Sequence, residues 1–243
     1  MNAYSTPPAQ FLEQQAEWLA PARARLLRRA DIARRRCVLD LACGSGAVTE
    51  ELARRCGGRV VAVDCNRRAL QDHPQVFRGA APICAAAPLL PFADGSFDLV
   101  FCQFALVWMD AAAAVREIHR ILQPGGVLAA IEPDYGGMIE HPPEIATRDL
   151  WLAALRRAGA DPLVGRKLPG WLAAAGFDVR VDLLDHLAPA SPLRFDLLRG
   201  LPLSADESAA LQRAEAADAG VGESARVVHL PMFLLIAERV GNE

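Results

Sequence analysis

One stretch constrains the fold more than any other: VLDLACGSGAVTEEL, residues 38–52. An apolar run that carries one acid, Asp40, leads through a turn with Gly44 and Gly46 into a segment with helical spacing. Continuous apolar runs are typical of strands that are buried on both faces. A strand, a glycine-bearing turn and a helix in this order predict the first unit of an open, parallel sheet covered by helices.

The alternation of short apolar runs with helical segments continues to residue 133. Further strands are predicted at RVVAVD, VFRGAAPICA, FDLVFCQFA and PGGVLAAIEP, and helices at AVTEELARRC, from about Asn66, and at DAAAAVREIHRIL. Because strands and helices alternate, we predict an α/β fold of the doubly wound type, with helices on both faces of a parallel sheet.

The pattern is less regular after residue 140. RDLWLAALRRAG and LPGWLAAAG have helical spacing, FDVRVDLL alternates like a strand, and VVHLPMFLLIAERV is predicted as a last strand in which Pro231 indicates an edge or a bulge. Residues 185–225 are predicted as an inserted loop plus helix. We expect one domain over residues 1–243, with an N-terminal helical arm (1–36), a cofactor-binding core (37–133), a substrate-side region (134–225) and a closing strand (226–243).

Composition and charge exclude several classes of protein. Apolar residues make up 52% of the chain, as in ordinary globular domains, and the formal net charge of −3 makes a nucleic-acid partner unlikely. The six cysteines lack CxxC pairing, so neither a metal site nor a disulfide framework is expected. No apolar stretch reaches the roughly 18 residues of a membrane span. We expect a cytoplasmic protein that does not contact membranes.

Asp40 restricts what the first turn can bind. In open parallel sheets, ligands lie at the carboxyl ends of the strands. A dinucleotide would bring its pyrophosphate close to the Asp40 carboxylate in a poorly screened crevice, and would be repelled. A ligand that carries positive charge there would be attracted, and S-adenosylmethionine has both an ammonium and a sulfonium group.

Asp64 ends the second predicted strand, 24 positions after Asp40. An acid at this place can accept hydrogen bonds from both hydroxyls of a ribose. Because dinucleotide enzymes use the same arrangement, Asp64 predicts a ribose but leaves the rest of the ligand undecided.

These segments resemble the class I S-adenosylmethionine-dependent methyltransferases, specifically the group called methyltransferase type 11. VLDLACGSG is similar to the first motif of the family, VAVDCN to the second, LPFADGSFDLVFCQFAL to the segment around the fourth strand, and REIHRILQPGGVLAAIEP to the helix and turn into the fifth. The resemblance implies a Rossmann-like sheet of seven mostly parallel strands, of which the last runs antiparallel. It also implies S-adenosyl-L-methionine as cofactor.

The resemblance assigns roles to the motif residues. Asp40 would lie near the methionine portion of the cofactor, while Gly44 and Gly46 would let the backbone pass close to it. Asp64 would bind the ribose, and Gln103 would lie under the methionine portion, close to the transferable methyl group.

On the adenine side, the resemblance is less complete. Cys65 or Asn66 would flank the adenine. Ala42 stands in place of the usual first glycine, and Ala86 stands where many relatives carry an acid that binds the adenine amino group. We expect backbone groups around Ala86 and Ala87 to replace that contact, or the affinity to be lower by the value of one hydrogen bond, on the order of 1 kcal/mol.

Candidates for catalysis follow the fifth predicted strand, in IEPDYGGMIEHPPE. Methyl transfer is an in-line displacement that needs alignment and desolvation, so a general base is optional. Asp134 or His141 could remove a proton from the nucleophile, and Tyr135 could orient it. The alternative is that Asp134 and Tyr135 shape a turn and that His141 is solvated.

Three further features bear on the acceptor side. Trp108 could wall an acceptor pocket or pack against the next helix, and Arg166 could lie at the substrate entrance or on the surface. In the family, N-terminal arms commonly fold over the cofactor, which would involve Tyr4 and Phe11 here. The alternative for Phe11 is packing in the core.

The sequence thus predicts methyl transfer to a small-molecule acceptor, because regions 1–36 and 134–225 are rich in Leu, Trp, Pro and Ala and would build an apolar or mixed pocket. Whether O, N or C is methylated stays open. One alternative is an RNA- or protein-modifying methyltransferase, for which only PARARLLRRADIARRR offers basic residues. Another is a catalytically silent cofactor-binding module that acts through a partner. A nicotinamide oxidoreductase is disfavoured by Asp40 and by Thr49 at the third glycine position.

Overall fold

The computed structural model describes residues 9–72, 74–77, 79–184 and 193–241. Its strands are β1 (Cys37–Leu41), β2 (Arg59–Asp64), β3 (Ala80–Cys84), β4 (Phe97–Gln103), β5 (Leu122–Pro133), β6 (Ile139–His141), β7 (Phe177–Leu183), β8 (Val227–His229) and β9 (Met232–Arg239). Its α-helices are α1 (Ala9–Arg29), α2 (Thr49–Arg55), α3 (Arg67–Asp72), α4 (Ala111–Ile121), α5 (Arg148–Arg157), α6 (Val164–Ala174), α7 (Leu193–Arg199) and α8 (Ala205–Ala219).

Seven of these strands form one sheet in the order β3-β2-β1-β4-β5-β9-β7. The pairs β1–β2, β2–β3, β1–β4 and β4–β5 are parallel, whereas β9 runs antiparallel to both β5 and β7. The prediction of a Rossmann-like, mostly parallel sheet with an antiparallel last strand is therefore confirmed. β6 and β8 form a separate antiparallel pair.

Both faces of the sheet are buried, as the continuous apolar runs predict. Along β5, Val127, Ala129 and Ile131 pack on the face covered by α1 and α2, while Leu128 and Ala130 pack on the face covered by α4, α5 and α6. Because successive residues of a strand point to opposite faces, a strand buried on both sides has no room for an alternating polar set.

Capping residues in the sequence fix where two helices start. The Asp110 carboxylate accepts a hydrogen bond from the Ala113 N–H at 2.9 Å and caps α4. Ser204 and Glu207 form a reciprocal capping box at the start of α8. Such side chains bond the unpaired N–H groups of a first helical turn, which stabilises the helix start.

Two expectations after residue 140 need correction. Pro231 lies immediately before β9, which is an interior strand between β5 and β7, so the proline separates β8 from β9 and does not mark a sheet edge. The described part of the predicted insertion, residues 193–225, contains two α-helices, α7 and α8, where one was expected. Within the described ranges, no helix combines the length and apolar character that crossing a bilayer demands.

Candidate active site

A cavity of about 550 Å³ lies at the carboxyl edge of the sheet, where β1, β2, β4 and β5 end side by side. Neighbouring parallel strands end at the same edge, so the segments that follow them share one crevice. Elements distant in sequence complete the wall. They contribute Leu12, Gln15 and Ala16 of α1, Trp151 and Leu155 of α5, Leu197 of α7, and Leu201 just after it.

The turn after β1 approaches the cavity in a left-handed conformation. Ala42 and Gly44 both have a φ of 56°, which costs a non-glycine residue such as Ala42 roughly 1–2 kcal/mol. A Cβ on Gly44 would lie 3.2 Å from Cδ1 of Leu12, so glycine lets helix α1 close onto the turn. Ala42 and Gly44 both line the cavity.

Asp64, at the end of β2, is tied to that turn. Its Oδ2 atom accepts a hydrogen bond from the Gly44 N–H, and its Oδ1 atom accepts one from the Asn66 N–H, both at 2.8 Å. An ionised carboxylate offers about four acceptor positions. Acceptor capacity towards the cavity therefore remains on a carboxylate whose orientation the backbone has already set.

Asp40 lies on the cavity floor and is only 3% exposed. The pKa of its carboxyl group is raised to about 7, mainly by burial and also by the charge of Asp64, against the lowering effects of the Thr49 hydrogen bond and of Arg23. The Thr49 hydroxyl donates to Asp40 Oδ2 at 2.6 Å. A cation placed beside Asp40 would favour its charged form and would itself be attracted.

Gln103, at the end of β4, is oriented by a buried arginine. Arg23 of α1 donates through Nη1 to Gln103 Oε1 at 3.2 Å and to the Ala16 carbonyl at 2.8 Å, and its Nη2 pairs with Glu51 at 2.7 Å. Because the amide oxygen of Gln103 faces Arg23, its NH₂ group is the end that can donate into the cavity.

The wall beside Asp64 consists of small apolar residues. Cys65 follows β2, and Ala85–Pro88 follow β3. The chain turns back there, with the Leu89 N–H donating to the Ala86 carbonyl at 3.0 Å. The result is an apolar surface next to a carboxylate, which suits a flat heterocycle attached to a polar sugar.

The far end of the cavity is aromatic and aliphatic. Tyr135 and Trp151 are buried and stack with ring centroids 5.0 Å apart at an interplanar angle of 30°. Trp108 and Met109, after β4, line the same end. Trp108 therefore belongs to the cavity wall.

One sequence comparison identifies the core of this site. The profile of the methyltransferase domain family matches residues 39–130, which span β1 to β5. This segment is a class I S-adenosylmethionine-dependent methyltransferase domain.

Relatives of the methyltransferase domain differ in what their names say they do. The chain is 42% identical over 111 residues to a demethylmenaquinone methyltransferase of Corynebacterium urealyticum, across 45% of this chain and 47% of the relative. It is 27% identical over 183 residues to the mitochondrial arginine-hydroxylase NDUFAF5 of Danio rerio, across 72% of this chain and 55% of the relative. The chain thus spans about half the length of these curated relatives. The YcgJ protein of Bacillus subtilis shares the fold, with a TM-score of 0.66 and 18% identity over 90% of this chain and 98% of that chain.

S-adenosylmethionine, the cofactor of this family, fits the described residues. The spare acceptor positions of Asp64 match a ribose diol, and the apolar wall from Ala85 to Pro88 matches an adenine. Asp40 at the floor matches a cationic group, and the Gln103 amide matches a carboxylate. All four features are therefore explained by a cationic nucleoside, without a pyrophosphate in the ligand.

Eight of the ten residues predicted for the cofactor line the cavity, and Gly46 and Asn66 are not among its lining residues. The lining residues are Asp40, Ala42, Gly44, Asp64, Cys65, Ala86, Ala87 and Gln103. Gly46 has a φ of 85° and approaches the Phe77 ring, where a Cβ would lie 3.0 Å from Cε1. The Asn66 side chain accepts from the Arg68 N–H at 3.1 Å and starts α3.

Of the three predicted catalytic residues, the structure brings only Tyr135 to the cavity. The Asp134 carboxylate is buried away from it and is held by Arg166, whose Nε and Nη2 lie 2.8 Å and 2.6 Å from Oδ2. His141 is exposed in β6, opposite Val227 of β8. This geometry gives no support to direct proton transfer by Asp134 or His141, and Arg166 is occupied by the ion pair.

Several cavity residues carry no signal in the sequence. Trp151, Leu155, Leu197 and Leu201 have the same helical spacing as core residues, and only the packing of α5 and α7 turns them towards the cavity. The N-terminal arm does reach the cavity, but through Leu12, Gln15 and Ala16, and Phe11 is not among the lining residues. Tyr4 lies outside the described residues.

Proposed function

We propose that this protein transfers the methyl group of S-adenosylmethionine to a small-molecule acceptor. One observation carries the proposal: one cavity is lined by two carboxylates, Asp40 and Asp64, at the end beside β1 and β2, and by aromatic and aliphatic side chains at the end beside β5 and α5. The first end suits a cationic nucleoside and the second an apolar or mixed metabolite.

When bound, S-adenosylmethionine supplies an electrophilic methyl group on a positively charged sulfur. In the transfer, the sulfur–methyl bond breaks as the bond from methyl to the acceptor forms, and the acceptor's proton leaves to solvent or to a nearby group. Asp64 and Gln103 would hold the two ends of the cofactor, so that the methyl group points along the cavity. Such alignment is the main source of catalysis in displacements of this kind.

The far wall would align the acceptor and exclude water. Tyr135, Trp151 and Leu197 present apolar surface there. Removing water strengthens the electrostatic attraction between sulfonium and nucleophile in the ground state and avoids hydrolysis of the methyl donor. The Tyr135 hydroxyl would orient the acceptor, which leaves the nucleophile's own acidity as the main determinant of its reactivity.

A small acceptor is favoured over a macromolecule. The relative with 42% identity is named for methylation of demethylmenaquinone, a small molecule. The net charge of −3 does not favour a polyanion, and we propose that the protein acts in the cytoplasm, where its free cysteines would stay reduced. The match to an arginine-hydroxylase keeps a protein acceptor as the second candidate, because a shared fold does not fix a reaction.

The proposal is tested with S-adenosylmethionine labelled in its methyl group. The acceptors tested are demethylmenaquinone, a panel of uncharged aromatic and aliphatic metabolites, bulk RNA and a basic protein, and Asp64→Ala is the matched variant with weakened cofactor binding. The expected result is label in a small molecule, reduced in the variant when S-adenosylmethionine is below saturation. Label only in RNA or protein would overturn the acceptor class. Binding of S-adenosylhomocysteine without transfer to any acceptor would favour the silent module.

A further inference from the structure

Glu132 is a fully buried acid that the proposed chemistry does not use. It lies in β5, and its exposure is 0%. Its Oε1 atom accepts hydrogen bonds from the N–H groups of Ala105 and Leu106, both at 2.9 Å, and its Oε2 atom accepts one from Val107 at 3.4 Å. One side chain thus binds three consecutive backbone donors of the segment after β4.

The segment that Glu132 holds forms part of the cavity wall. It begins with Phe104 at a φ of 53°, a left-handed conformation that is unfavourable for a non-glycine residue, and continues into a short 3₁₀ helix, Leu106–Trp108. Phe104, Ala105, Trp108 and Met109 line the cavity where the cofactor's methionine end and the acceptor would meet. A strained turn keeps its shape only when its surroundings determine it.

Stability alone does not account for an acid at this place. A buried carboxylate pays a desolvation penalty that backbone donors only partly offset, and burial raises the pKa of Glu132 to about 7 despite three backbone hydrogen bonds. What the carboxylate adds is acceptor capacity for several N–H groups at once.

We propose that Glu132 is a positioning residue that fixes the 104–108 turn in the shape that binds the cofactor's methionine end and the acceptor. The inference rests on the proposed function, because it assumes that this cavity binds S-adenosylmethionine. Glu132 acts through the turn and does not itself line the cavity among the described residues.

Asp98 provides a matched control. It lies in β4 and is 9% exposed, and its carboxylate accepts hydrogen bonds from two consecutive backbone donors, Arg36 N–H at 2.6 Å and Cys37 N–H at 3.0 Å. These donors lie at the amino end of β1, whereas the cavity lies at the carboxyl ends of the strands. Glu132→Gln and Asp98→Asn therefore make the same chemical change to similar contacts, and only the first touches the cavity turn.

The test measures S-adenosylhomocysteine affinity by calorimetry and amide hydrogen exchange by mass spectrometry in the wild type and both variants. In Glu132→Gln, we expect faster exchange confined to residues 104–108 and a dissociation constant raised about fivefold or more, the effect of one lost hydrogen bond. In Asp98→Asn, we expect faster exchange at residues 36–37 and an affinity within about twofold of the wild type.

Equal affinity of the wild type and Glu132→Gln, with binding to both, would overturn the positioning role and leave the proposed function intact. Equal losses of affinity in Glu132→Gln and Asp98→Asn would also overturn it, because a general loss of stability would then explain both. If the wild type itself shows no binding, the proposed function fails first, and the exchange pattern still reports whether Glu132 holds the turn.

Discussion

Asp64 Oδ2 accepts a hydrogen bond from the Gly44 N–H at 2.8 Å, which joins the end of β2 to the turn after β1. The contact sets the orientation of the Asp64 carboxylate before any ligand binds. A preorganised acceptor loses little entropy when a ribose diol approaches.

Replacing Asp64 should therefore weaken nucleoside binding strongly. We expect Asp64→Ala to raise the dissociation constant of S-adenosylhomocysteine at least about tenfold, because two charge-assisted hydrogen bonds are lost. Isothermal titration calorimetry measures the change. Asp72→Ala removes an exposed acid at the end of the neighbouring helix α3 and should bind as the wild type does. Unchanged affinity in Asp64→Ala would refute the ribose assignment.

Arg23 is expected to matter more for stability than Arg55, although both pair with Glu51. The Arg23 side chain is 5% exposed and that of Arg55 26%. Arg23→Met removes the donor that the half-buried Glu51 and Gln103 share, while Glu51 keeps its pair with Arg55. The change should cost about 2 kcal/mol of unfolding free energy, against less than about 1 kcal/mol for Arg55→Met. Urea denaturation measures both, and similar losses would contradict this account of the buried pair.

Tyr135 is the predicted catalytic residue that the geometry favours for contact with the acceptor. Tyr135→Phe keeps the stack on Trp151 and removes only the hydroxyl, so turnover with the acceptor identified by labelling should fall about tenfold or more. The affinity for S-adenosylhomocysteine should change less than about twofold. His141→Ala, at an exposed position, serves as control and should turn over at the wild-type rate. A wild-type rate for Tyr135→Phe would leave the tyrosine a packing role only.

Glu132 should make the unfolding free energy depend on pH in a defined direction. Burial raises the pKa of its carboxyl group from the ordinary 4.5 to about 7, so between these values the folded state binds more protons than the unfolded state. Stability from this group is therefore present at low pH and is lost as the pH rises towards 7. Relative to Glu132→Gln, the wild type should lose on the order of 3 kcal/mol across this interval. Denaturant titrations at several pH values measure the unfolding free energy of the wild type and of Glu132→Gln. The same pH dependence in both proteins would contradict the prediction.

The sequence predicts the cofactor end of the site better than the acceptor end, for a physical reason. Asp40, Gly44 and Asp64 are placed by strand ends and one tight turn, so their positions follow from local patterns. Trp151 and Leu197 reach the cavity only through the packing of α5 and α7, which no local pattern encodes.

Two residues after β5 illustrate how tertiary contacts add to a local prediction. Asp134 and Tyr135 are adjacent in sequence, yet the first pairs with Arg166, 32 positions further along, while the second lines the cavity. A residue just past a strand end is therefore a candidate for the site. Its side-chain contacts in the folded protein then show whether it faces the cavity.

Asp40 provides the most direct test of the electrostatic account, because its carboxyl pKa of about 7 falls within an accessible range. S-adenosylhomocysteine carries an ammonium group that a charged Asp40 would attract and a protonated Asp40 would not. Titration calorimetry from about pH 5.5 to about pH 7.5 should show affinity rising about fivefold or more in the wild type, with proton release on binding at the lower pH, and no such rise in Asp40→Asn. Affinity that is independent of pH, or that rises equally in Asp40→Asn, would contradict the claim that this buried acid selects a cationic nucleoside.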